Sequence, residues 1–259
     1  MAAISLTGKR VLITGASSGI GRSCAKQFAA AGARLLLAAR RIDRLETLAL
    51  ELNAEYGTDV YYVELDVRNR EWVAEVVANL PTAWREIDIL INNAGLSRGL
   101  DRLHTGAIED WEEMIDTNIK GLLYVSRAVI PGMVERNAGH VINIGSLASR
   151  AAYPGGNVYC GSKAAVRTIS AGLKIDLLGT AVRVSEVDPG LVETEFSDVR
   201  FHGDTDRAKQ TYDGLTPLTP DDIAEIILFC ATRPAHVNLS ELLVVPTDQA
   251  TATQVARRG

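Results

Sequence analysis

A tyrosine and a lysine four residues apart give the sequence its clearest chemical signal. Tyr159 and Lys163 fall in a segment with helical spacing, so their side chains are predicted to share one face of a helix. A free tyrosine has a pKa of about 10 and transfers protons poorly at neutral pH. A neighbouring ammonium favours the phenolate, and lowering the pKa to about 7 requires about 4 kcal/mol of differential interaction. The pair is therefore a candidate for acid–base catalysis; the alternative is a core-edge tyrosine beside a solvated lysine.

Two further polar residues, Ser146 and Asn118, are candidates for a functional role. Ser146 follows an apolar run and is predicted to hydrogen-bond a substrate oxygen; the alternative is an ordinary serine at a strand end. Asn118 falls inside a long helical pattern, where its amide competes with the backbone hydrogen bonds of the helix. A locally unfavourable residue within a good helix indicates a functional position or a kink.

A glycine-rich turn, TGASSGIG at 14–21, follows an apolar run and opens a helical pattern. Glycine lets the backbone approach a phosphate closely, and free N–H groups at a helix N-terminus attract the negative charge. The position after the first strand of an alternating β–α chain favours a bound dinucleotide. The alternative is a tight turn of small residues. The spacing is G-x-x-x-G-x-G rather than the commoner G-x-G-x-x-G.

The residues at the end of the second predicted strand indicate whether the dinucleotide is NAD or NADP. An acidic residue there would bind the adenosine ribose diol of NAD, but Ala39 occupies the position and Arg40 and Arg41 follow it. Arginine binds phosphate through bidentate, charge-assisted hydrogen bonds. A helix N-terminus disfavours cations, which argues against two purely surface arginines. The sequence therefore predicts NADP(H) as the cofactor.

Apolar runs alternate with helical patterns along the whole chain. Continuous apolar runs indicate strands buried on both faces, as in a parallel sheet covered by helices. Strands are predicted at 10–14, 34–39, 60–65, 87–91, 140–144, 182–187 and 242–245. Helices are predicted from about 20, at 41–56, 71–80, 108–134 with a bend or interruption near 131–132, 157–178 and 221–232, the last opened by Thr219 and Pro220.

This order predicts one α/β domain over 1–259. Strict alternation of strands and helices favours a doubly wound (Rossmann) fold, with a parallel seven-stranded sheet and helices on both faces. The less regular stretch at 191–218 is predicted to form a substrate lid.

The composition argues against several classes of function. A net charge of −5 over 259 residues does not favour a nucleic-acid partner, which would require a basic stripe. No apolar run reaches the roughly 18–20 residues of a membrane span, and the first residues lack a signal-peptide pattern. Three scattered cysteines and four unpaired histidines match neither a disulfide framework nor a metal site. We therefore expect a cytoplasmic protein with no metal and no membrane partner.

Several motifs occur together in the order in which the short-chain dehydrogenase/reductase family has them, and the sequence resembles that family over essentially its whole length. The matching segments are TGASSGIG at 14–21, DV at 66–67, NNAG at 92–95, the YxxxK signature at 159–163 and DPG at 188–190 with Thr194. The resemblance implies that TGASSGIG is a cofactor loop and that DV contacts adenine. It also implies that NNAG is a sheet-stabilising turn and that DPG with Thr194 is a nicotinamide turn. It also implies a catalytic set of Asn118, Ser146, Tyr159 and Lys163, in which Asn118 holds a water that links Lys163 to solvent.

The predicted cofactor contacts combine the two lines of reasoning. They are Gly15, Ser17, Ser18, Gly19, Ile20, Gly21, Arg40, Arg41, Asp66, Val67, Asn93, Ala94, Gly95, Tyr159, Lys163, Pro189, Gly190, Val192 and Thr194. The serine at position 18 departs from relatives that carry a basic residue inside the glycine loop. Recognition of the 2′-phosphate is therefore assigned to the two arginines.

The expected reaction is hydride transfer between nicotinamide and a carbon that bears oxygen. Tyr159 would exchange the hydroxyl proton, Ser146 would polarise the oxygen, and Lys163 would tune Tyr159 and contact the nicotinamide ribose. Arg200 is a candidate ligand for a carboxylate or sulfonate, with Arg150 as a second candidate; the alternative is that these charges are simply solvated.

Segments of the sequence that are longer than these motifs resemble one branch of the family. This branch uses NADP and acts on small 3-hydroxy acids such as L-allo-threonine, L-serine and 3-hydroxypropionate, and is typically homotetrameric. One alternative is an NADPH-dependent reductase of sulfoacetaldehyde or of a neutral ketone, diketone or biosynthetic aldehyde. Another is a catalytically silent NADP(H)-sensing protein. The polar tail at 246–259 is expected to close a neighbouring subunit's site or to pack in an interface.

Overall fold

The computed structural model describes residues 5–258 and contains one sheet of seven parallel strands. The spatial order is β3-β2-β1-β4-β5-β6-β7. The strands are β1 Arg10–Thr14, β2 Arg34–Ala39, β3 Val60–Glu64, β4 Ile89–Asn92, β5 Gly139–Ile144, β6 Val182–Pro189 and β7 Glu241–Val244. The predicted seven-stranded parallel sheet is therefore confirmed.

Helices connect successive strands. They are α1 Gly19–Ala30, α2 Ile42–Tyr56, α3 Arg70–Ala78, α4 Ile108–Ile115, α5 Leu122–Glu135, α6 Asn157–Asp176, α7 Phe196–Arg200, α8 Thr205–Gln210 and α9 Pro220–Ala231. Within residues 5–258, none of these helices has the length and apolar character required to cross a bilayer.

The central strands are buried on both faces, which explains their continuous apolar sequences. On β1, Leu12 faces one side of the sheet, where its core cluster includes Val125 of α5. Its neighbour Ile13 faces the other side, in a cluster with Phe28 of α1 and Ile223 of α9. Successive side chains of a strand point to opposite faces, so one apolar run fills both cores.

The sheet order reverses between β1 and β4. Strand β1 pairs with β2 on one side and with β4 on the other, so the connections that leave these strands run to opposite halves of the sheet. A crevice opens at the carboxyl ends of the strands at such a reversal, and doubly wound proteins bind their ligands there. The glycine-rich turn begins at this point, directly after β1.

The long helix predicted over 108–134 is divided, but not where proline predicted an interruption. Helix α5 continues through Pro131. The irregular backbone is instead a π-helical segment, Asp116–Gly121, which contains Asn118. A π-bulge inserts an extra residue into a helix and is frequent at functional sites. The predicted helix start at Thr219 and Pro220 is confirmed, and Asp222 completes a capping box that sequence reasoning did not name.

Candidate active site

The glycine turn is packed too closely for larger residues. A Cβ on Gly21 would overlap the carbonyl oxygen of Gly15 and lie 2.5 Å from the side-chain amide of Asn93. That amide donates to the carbonyl oxygens of Thr14, at 2.9 Å, and Gly15, at 3.2 Å. The turn is therefore held from β4, and its small residues keep backbone N–H groups accessible at the start of α1.

A neighbouring asparagine fastens the sheet below the turn. The amide of Asn92 donates to Ser126 Oγ at 3.0 Å and to Asn143 Oδ1 at 2.9 Å. These contacts connect β4 to α5 and to β5, in agreement with the stabilising role that the family resemblance implied for NNAG.

We expect Gly21→Ala to weaken dinucleotide binding and to lower the stability of the fold. The added methyl group has no free space, and overpacking of this kind costs about 1–3 kcal/mol. Thermal unfolding and a titration with NADPH would measure both effects. Gly161→Ala is the matched control, because a Cβ at Gly161 meets nothing within 4 Å. Equal behaviour of the two variants would contradict the close packing of the turn.

The two arginines after β2 have different surroundings. The guanidinium of Arg41 donates to Ser17 Oγ at 3.1 Å and to Ser18 Oγ at 2.8 Å, so Arg41 lies over the glycine turn. Arg40 is exposed, with Glu113 3.7 Å away. Glu195 lies 3.0 Å from Arg41 and connects this corner to the predicted lid. Two cations and two serine hydroxyls at one edge of the crevice can supply the positive charge and the hydrogen-bond donors that a ribose phosphate requires.

One cavity of about 570 Å³ lies along the carboxyl edge of the sheet, a size within the usual range for ligand sites. It brings together nearly all the residues predicted to bind the cofactor. The predicted residues that line it are Gly15, Ser17, Ser18, Gly19, Ile20, Arg40, Arg41, Asp66, Val67, Asn93, Ala94, Gly95, Ser146, Tyr159, Lys163, Pro189, Gly190, Val192, Thr194 and Arg200. Gly21, Asn118 and Arg150 are not part of this lining.

The lining also contains residues that sequence reasoning missed. They are mainly apolar or aromatic side chains around the inner end, together with part of the tail: Leu96, Leu147, Tyr153, Phe196, Tyr212, Gln249, Val255 and Arg257. The tail thus lines the cavity of its own chain, whereas the sequence had suggested a role at a neighbouring subunit. No local spacing in the sequence signals this contact.

The tail also holds the segment at 191–218. The guanidinium of Arg257 donates to the carbonyl oxygens of Thr211 and Asp213. The backbone N–H of Arg258 donates to the carbonyl oxygen of Gly214. Asp248 accepts from the backbone N–H of Thr216 at 3.0 Å. These contacts fix the outer wall of the cavity against the end of the described chain.

Tyr159, Ser146 and Lys163 meet at the inner end of the cavity. Helix α6 carries Tyr159 and Lys163, both buried, and Ser146 follows the end of β5. The hydroxyl of Ser146 lies on the side of Tyr159, whose pKa it helps to lower. Lys163 Nζ donates to the carbonyl oxygen of Ile144 at 2.9 Å, which holds the ammonium beside the end of β5.

Burial shifts the pKa of both residues of the YxxxK pair. Burial raises the pKa of Tyr159, while the charge of Arg200 and the hydrogen bond from Ser146 act against this rise. Burial lowers the pKa of Lys163 to about 8, and the nearby carboxyl groups of Glu186 and Asp188 act against this fall. Arg200 is thus a cation that counteracts the rise in the pKa of Tyr159. Sequence reasoning had considered Arg200 only as a substrate ligand.

Asn118 acts from behind the cavity wall. Its side-chain oxygen accepts from the backbone N–H of Leu96 at 2.8 Å, and its amide donates to the Leu96 carbonyl at 2.8 Å and to Ser162 Oγ at 3.0 Å. Its amide therefore competes with no helix bond; it joins the π-helical segment to the loop after β4 and to α6. A Cβ on Gly95 would lie 3.3 Å from Asn118 Oδ1 and 3.4 Å from Lys163 Nζ, so both side chains border the space beside Gly95.

Arg200 points into the cavity. Its guanidinium carbon lies 5.2 Å from the ring centroid of Tyr159 and 5.3 Å from that of Phe196. One terminal nitrogen donates to Tyr153 Oη at 3.1 Å. Its Nε is buried and has no hydrogen-bond partner among residues 5–258. Because the guanidinium brings a positive charge to the cavity lining, this side chain suits an anionic ligand.

Arg150, the second candidate substrate ligand, faces another way. Its guanidinium lies 3.2 Å from Asp188 and 2.6 Å from Glu241, outside the cavity lining. Glu241 is 91 positions away in sequence, so local reasoning could not find this partner. The structure therefore corrects the expectation that Arg150 contacts substrate.

Comparison with known proteins now gives the class. The family described as short chain dehydrogenase matches residues 9–204, so the chain belongs to the short-chain dehydrogenases. The chain is 52% identical over 243 residues to the NADP-dependent 3-hydroxy acid dehydrogenase YdfG of Salmonella typhi, covering 93% of this chain and 96% of that protein. It is 46% identical over 254 residues to the NADP-dependent 3-hydroxy acid dehydrogenase of Schizosaccharomyces pombe, covering 98% of each.

A solved structure agrees with these relatives. The closed form of a serine dehydrogenase complexed with NADP+ superposes with a TM-score of 0.90 at 49% identity, covering 96% of this chain and 100% of that one. The predicted doubly wound fold and the family are thus confirmed, and the chain is an oxidoreductase of the dehydrogenase class.

Proposed function

We propose that the chain is an NADP(H)-dependent oxidoreductase that acts on small 3-hydroxy acids or on the corresponding aldehydes and keto acids. The observation that carries this proposal is Arg200, which lines the cavity and whose guanidinium carbon lies 5.2 Å from the Tyr159 ring centroid. A carboxylate near the reacting carbon would pair with this guanidinium while the hydroxyl reaches Tyr159. The names of the relatives, which contain 3-hydroxy acids and serine, support the same substrate class.

The cofactor proposal rests on how well the cavity fits NADP(H). The crowded glycine turn offers backbone N–H groups to a pyrophosphate, and Arg40, Arg41, Ser17 and Ser18 surround the expected place of the 2′-phosphate. When bound, NADP(H) accepts or supplies the hydride.

Tyr159 is proposed as the residue that exchanges the substrate proton. In oxidation its deprotonated oxygen takes the hydroxyl proton, and in reduction its hydroxyl returns a proton to the carbonyl oxygen. Ser146, which lines the same cavity as Tyr159, donates to the same substrate oxygen and fixes its position. Lys163 holds a positive charge behind the pair, and Asn118 keeps α6 and the loop after β4 in register for it.

The proposed lid at 191–218 contains α7 and α8 rather than unstructured chain. It supplies Phe196, Val199, Arg200 and Tyr212 to the cavity. Because one segment carries both the apolar wall and the proposed acid-binding cation, we assign substrate selection to it. We also propose that the chain forms a homotetramer in the cytoplasm. Exposed apolar side chains on α5, α9 and β7, which are Leu123, Phe229 and Leu243, support contact between subunits.

Apolar walls favour a second candidate function. Leu96, Leu147, Phe196 and Val199 line the inner cavity and are compatible with a neutral ketone or aldehyde. A sulfonate such as that of sulfoacetaldehyde would instead use Arg200 as a carboxylate does. Absorbance of nicotinamide at a fixed cofactor concentration separates these possibilities.

NADP+ is offered with L-serine, L-allo-threonine, 3-hydroxypropionate and a neutral secondary alcohol. NADPH is offered with malonic semialdehyde, sulfoacetaldehyde and a neutral diketone. We expect turnover of the acid-bearing compounds. Turnover confined to the neutral compounds would overturn the acid-binding role of Arg200 and keep the cofactor assignment. NADPH binding without any turnover would overturn the proposed activity and favour an NADP(H) sensor.

We expect Arg41→Ala to lose most of the preference for NADP+ over NAD+. Loss of a charge-assisted hydrogen bond to phosphate costs about 1.5–3 kcal/mol, which is about 10- to 150-fold in kcat/KM for NADP+. Arg40→Ala is expected to act in the same direction. Arg44→Ala is the matched control, because Arg44 also pairs with Glu195 but does not line the cavity. An unchanged ratio of kcat/KM for the two cofactors in Arg41→Ala would refute the assignment.

A further inference from the structure

A pair of buried carboxyl groups lies beneath the backbone that carries Ser146. Glu186 and Asp188 alternate along β6, so both point to the same face of the sheet, and they are 2% and 0% exposed. A Cβ on Gly145 would overlap Asp188 Oδ1 and lie 2.6 Å from Glu186 Oε1. The pair therefore fills the space that any other residue at position 145 would need. The proposed mechanism so far uses neither carboxyl group.

Asp188 accepts two hydrogen bonds through different oxygens. Its Oδ1 accepts from the backbone N–H of Ser146 at 2.9 Å, and its Oδ2 accepts from Arg150 at 3.2 Å. Arg150 also bonds Glu241 at 2.6 Å, so the guanidinium is fixed from both sides. Burial raises the pKa of Asp188, and the hydrogen bonds from Glu186 and from the Ser146 N–H, with the charge of Arg150, act against this rise.

Glu186 has the opposite surroundings. Its Oε1 is buried and has no hydrogen-bond partner among the described residues 5–258. Burial, reinforced by the negative charge of Asp188, raises the pKa of Glu186 to about 8. A proton on Glu186 lets it donate to Asp188, which satisfies the buried oxygen and leaves one negative charge on the pair. Two adjacent carboxyl groups commonly share one proton in this way.

We propose that Asp188, held by protonated Glu186 and by Arg150, is a positioning residue that aims the hydroxyl of Ser146 at the substrate oxygen. This inference rests on the proposed function, in which Ser146 contacts substrate. The hydrogen bond from the Ser146 N–H fixes the peptide plane immediately before its Cα and therefore the direction of its side chain. The Ser146 hydroxyl also accepts from the backbone N–H of Ala148 at 3.1 Å, so its position is held at both ends.

The substitution Asp188→Asn tests this role with little change of shape. An amide presents one oxygen and one NH₂ group, whereas both positions face donors, so either Ser146 or Arg150 must lose its partner. A displacement of about 1 Å in a catalytic group can cost about 100-fold in rate. We expect kcat to fall by about 10- to 100-fold on that basis, with a smaller change in KM.

The decisive experiment is a double-mutant cycle with Ser146→Ala. If Asp188 acts through the Ser146 hydroxyl, Asp188→Asn should lower kcat about 10-fold or more in the wild-type background but only about 2-fold in Ser146→Ala. Equal losses in the two backgrounds would show a general structural role and overturn the inference. If Ser146→Ala alone leaves kcat unchanged, the proposed catalytic function of Ser146 fails instead.

Two companion variants guard against simple misfolding. Glu186→Gln keeps a donor towards Asp188, so kcat should stay within about 2-fold of wild type, whereas Glu186→Leu removes the donor and should resemble Asp188→Asn. NADPH affinity, measured by fluorescence titration, should stay within about 2-fold in the Glu186 and Asp188 variants, because neither residue lines the cavity. A Glu186→Gln enzyme as impaired as Glu186→Leu would contradict the shared-proton arrangement.

Discussion

Replacing Tyr159 by phenylalanine is expected to lower kcat by about 10³-fold while leaving NADPH binding nearly unchanged. General acid–base catalysis by a positioned side chain contributes about 10²- to 10⁴-fold. Phenylalanine keeps the ring and its edge contact with Phe196, whose centroid lies 5.7 Å away, but it has no proton to exchange. Steady-state oxidation of the best substrate from the panel, together with an NADPH titration, measures both quantities.

Tyr153→Phe is the matched control for this prediction. Tyr153 also lines the cavity, but its hydroxyl accepts from Arg200 and has no proposed part in proton transfer. We expect a modest change in KM and a small change in kcat. Turnover that survives in Tyr159→Phe, or an equal loss of kcat in both variants, would show that proton transfer uses another group.

The pH dependence of the wild type provides a second test of Tyr159. Burial raises the pKa of its hydroxyl, and oxidation requires the deprotonated oxygen. The rate of oxidation should therefore rise as the pH increases through that pKa, and the rate of reduction should fall over the same range. This pH-dependent limb should disappear from the residual activity of Tyr159→Phe.

Substitution of Arg200 by methionine is expected to lower kcat/KM for acid-bearing substrates by about 10- to 150-fold relative to neutral ones. A charge-assisted hydrogen bond contributes about 1.5–3 kcal/mol, and methionine fills similar space without charge. The charge of Arg200 also lowers the pKa of Tyr159, so its removal should move the oxidation profile of every substrate to higher pH. The ratio of acid to neutral substrates at one pH cancels this shared effect.

Arg200→Lys separates charge from geometry in the same assay. Lysine keeps the positive charge but lacks the planar fork that binds carboxylates through two hydrogen bonds. We expect an intermediate loss on acid substrates and little movement of the pH profile. Parallel losses on acid and neutral substrates in Arg200→Met would exclude direct contact with a carboxylate.

Local patterns were sufficient for the sheet and for most of the residues that line the cavity. The strands are continuous apolar runs because both faces of a parallel sheet are covered, and this makes them visible in sequence. The glycine turn and the YxxxK pair were also recognisable, because each motif lies within eight or fewer consecutive residues. These features require no knowledge of distant partners.

Features that depend on distant partners could not be predicted. The contact of Arg150 with Glu241 and that of Arg257 with Thr211 join segments 91 and 46 residues apart. Pro131 suggested a break in a helix that tertiary packing keeps continuous, whereas the actual irregularity surrounds Asn118, whose amide bonds a neighbouring loop. The missing information was in each case the identity of a partner brought close by folding.

The contact between the tail and the lid also sets an order of events during synthesis. The glycine turn and strands β1 to β5 precede Arg257 in the chain, and the contacts among them involve no residue of the tail. The carbonyl groups of Thr211 and Asp213 acquire their donor only when Arg257 has been synthesised, 46 residues after Thr211. A chain truncated before residue 257 therefore loses this attachment of the segment at 191–218, whereas the glycine turn keeps its hydrogen bonds from Asn93.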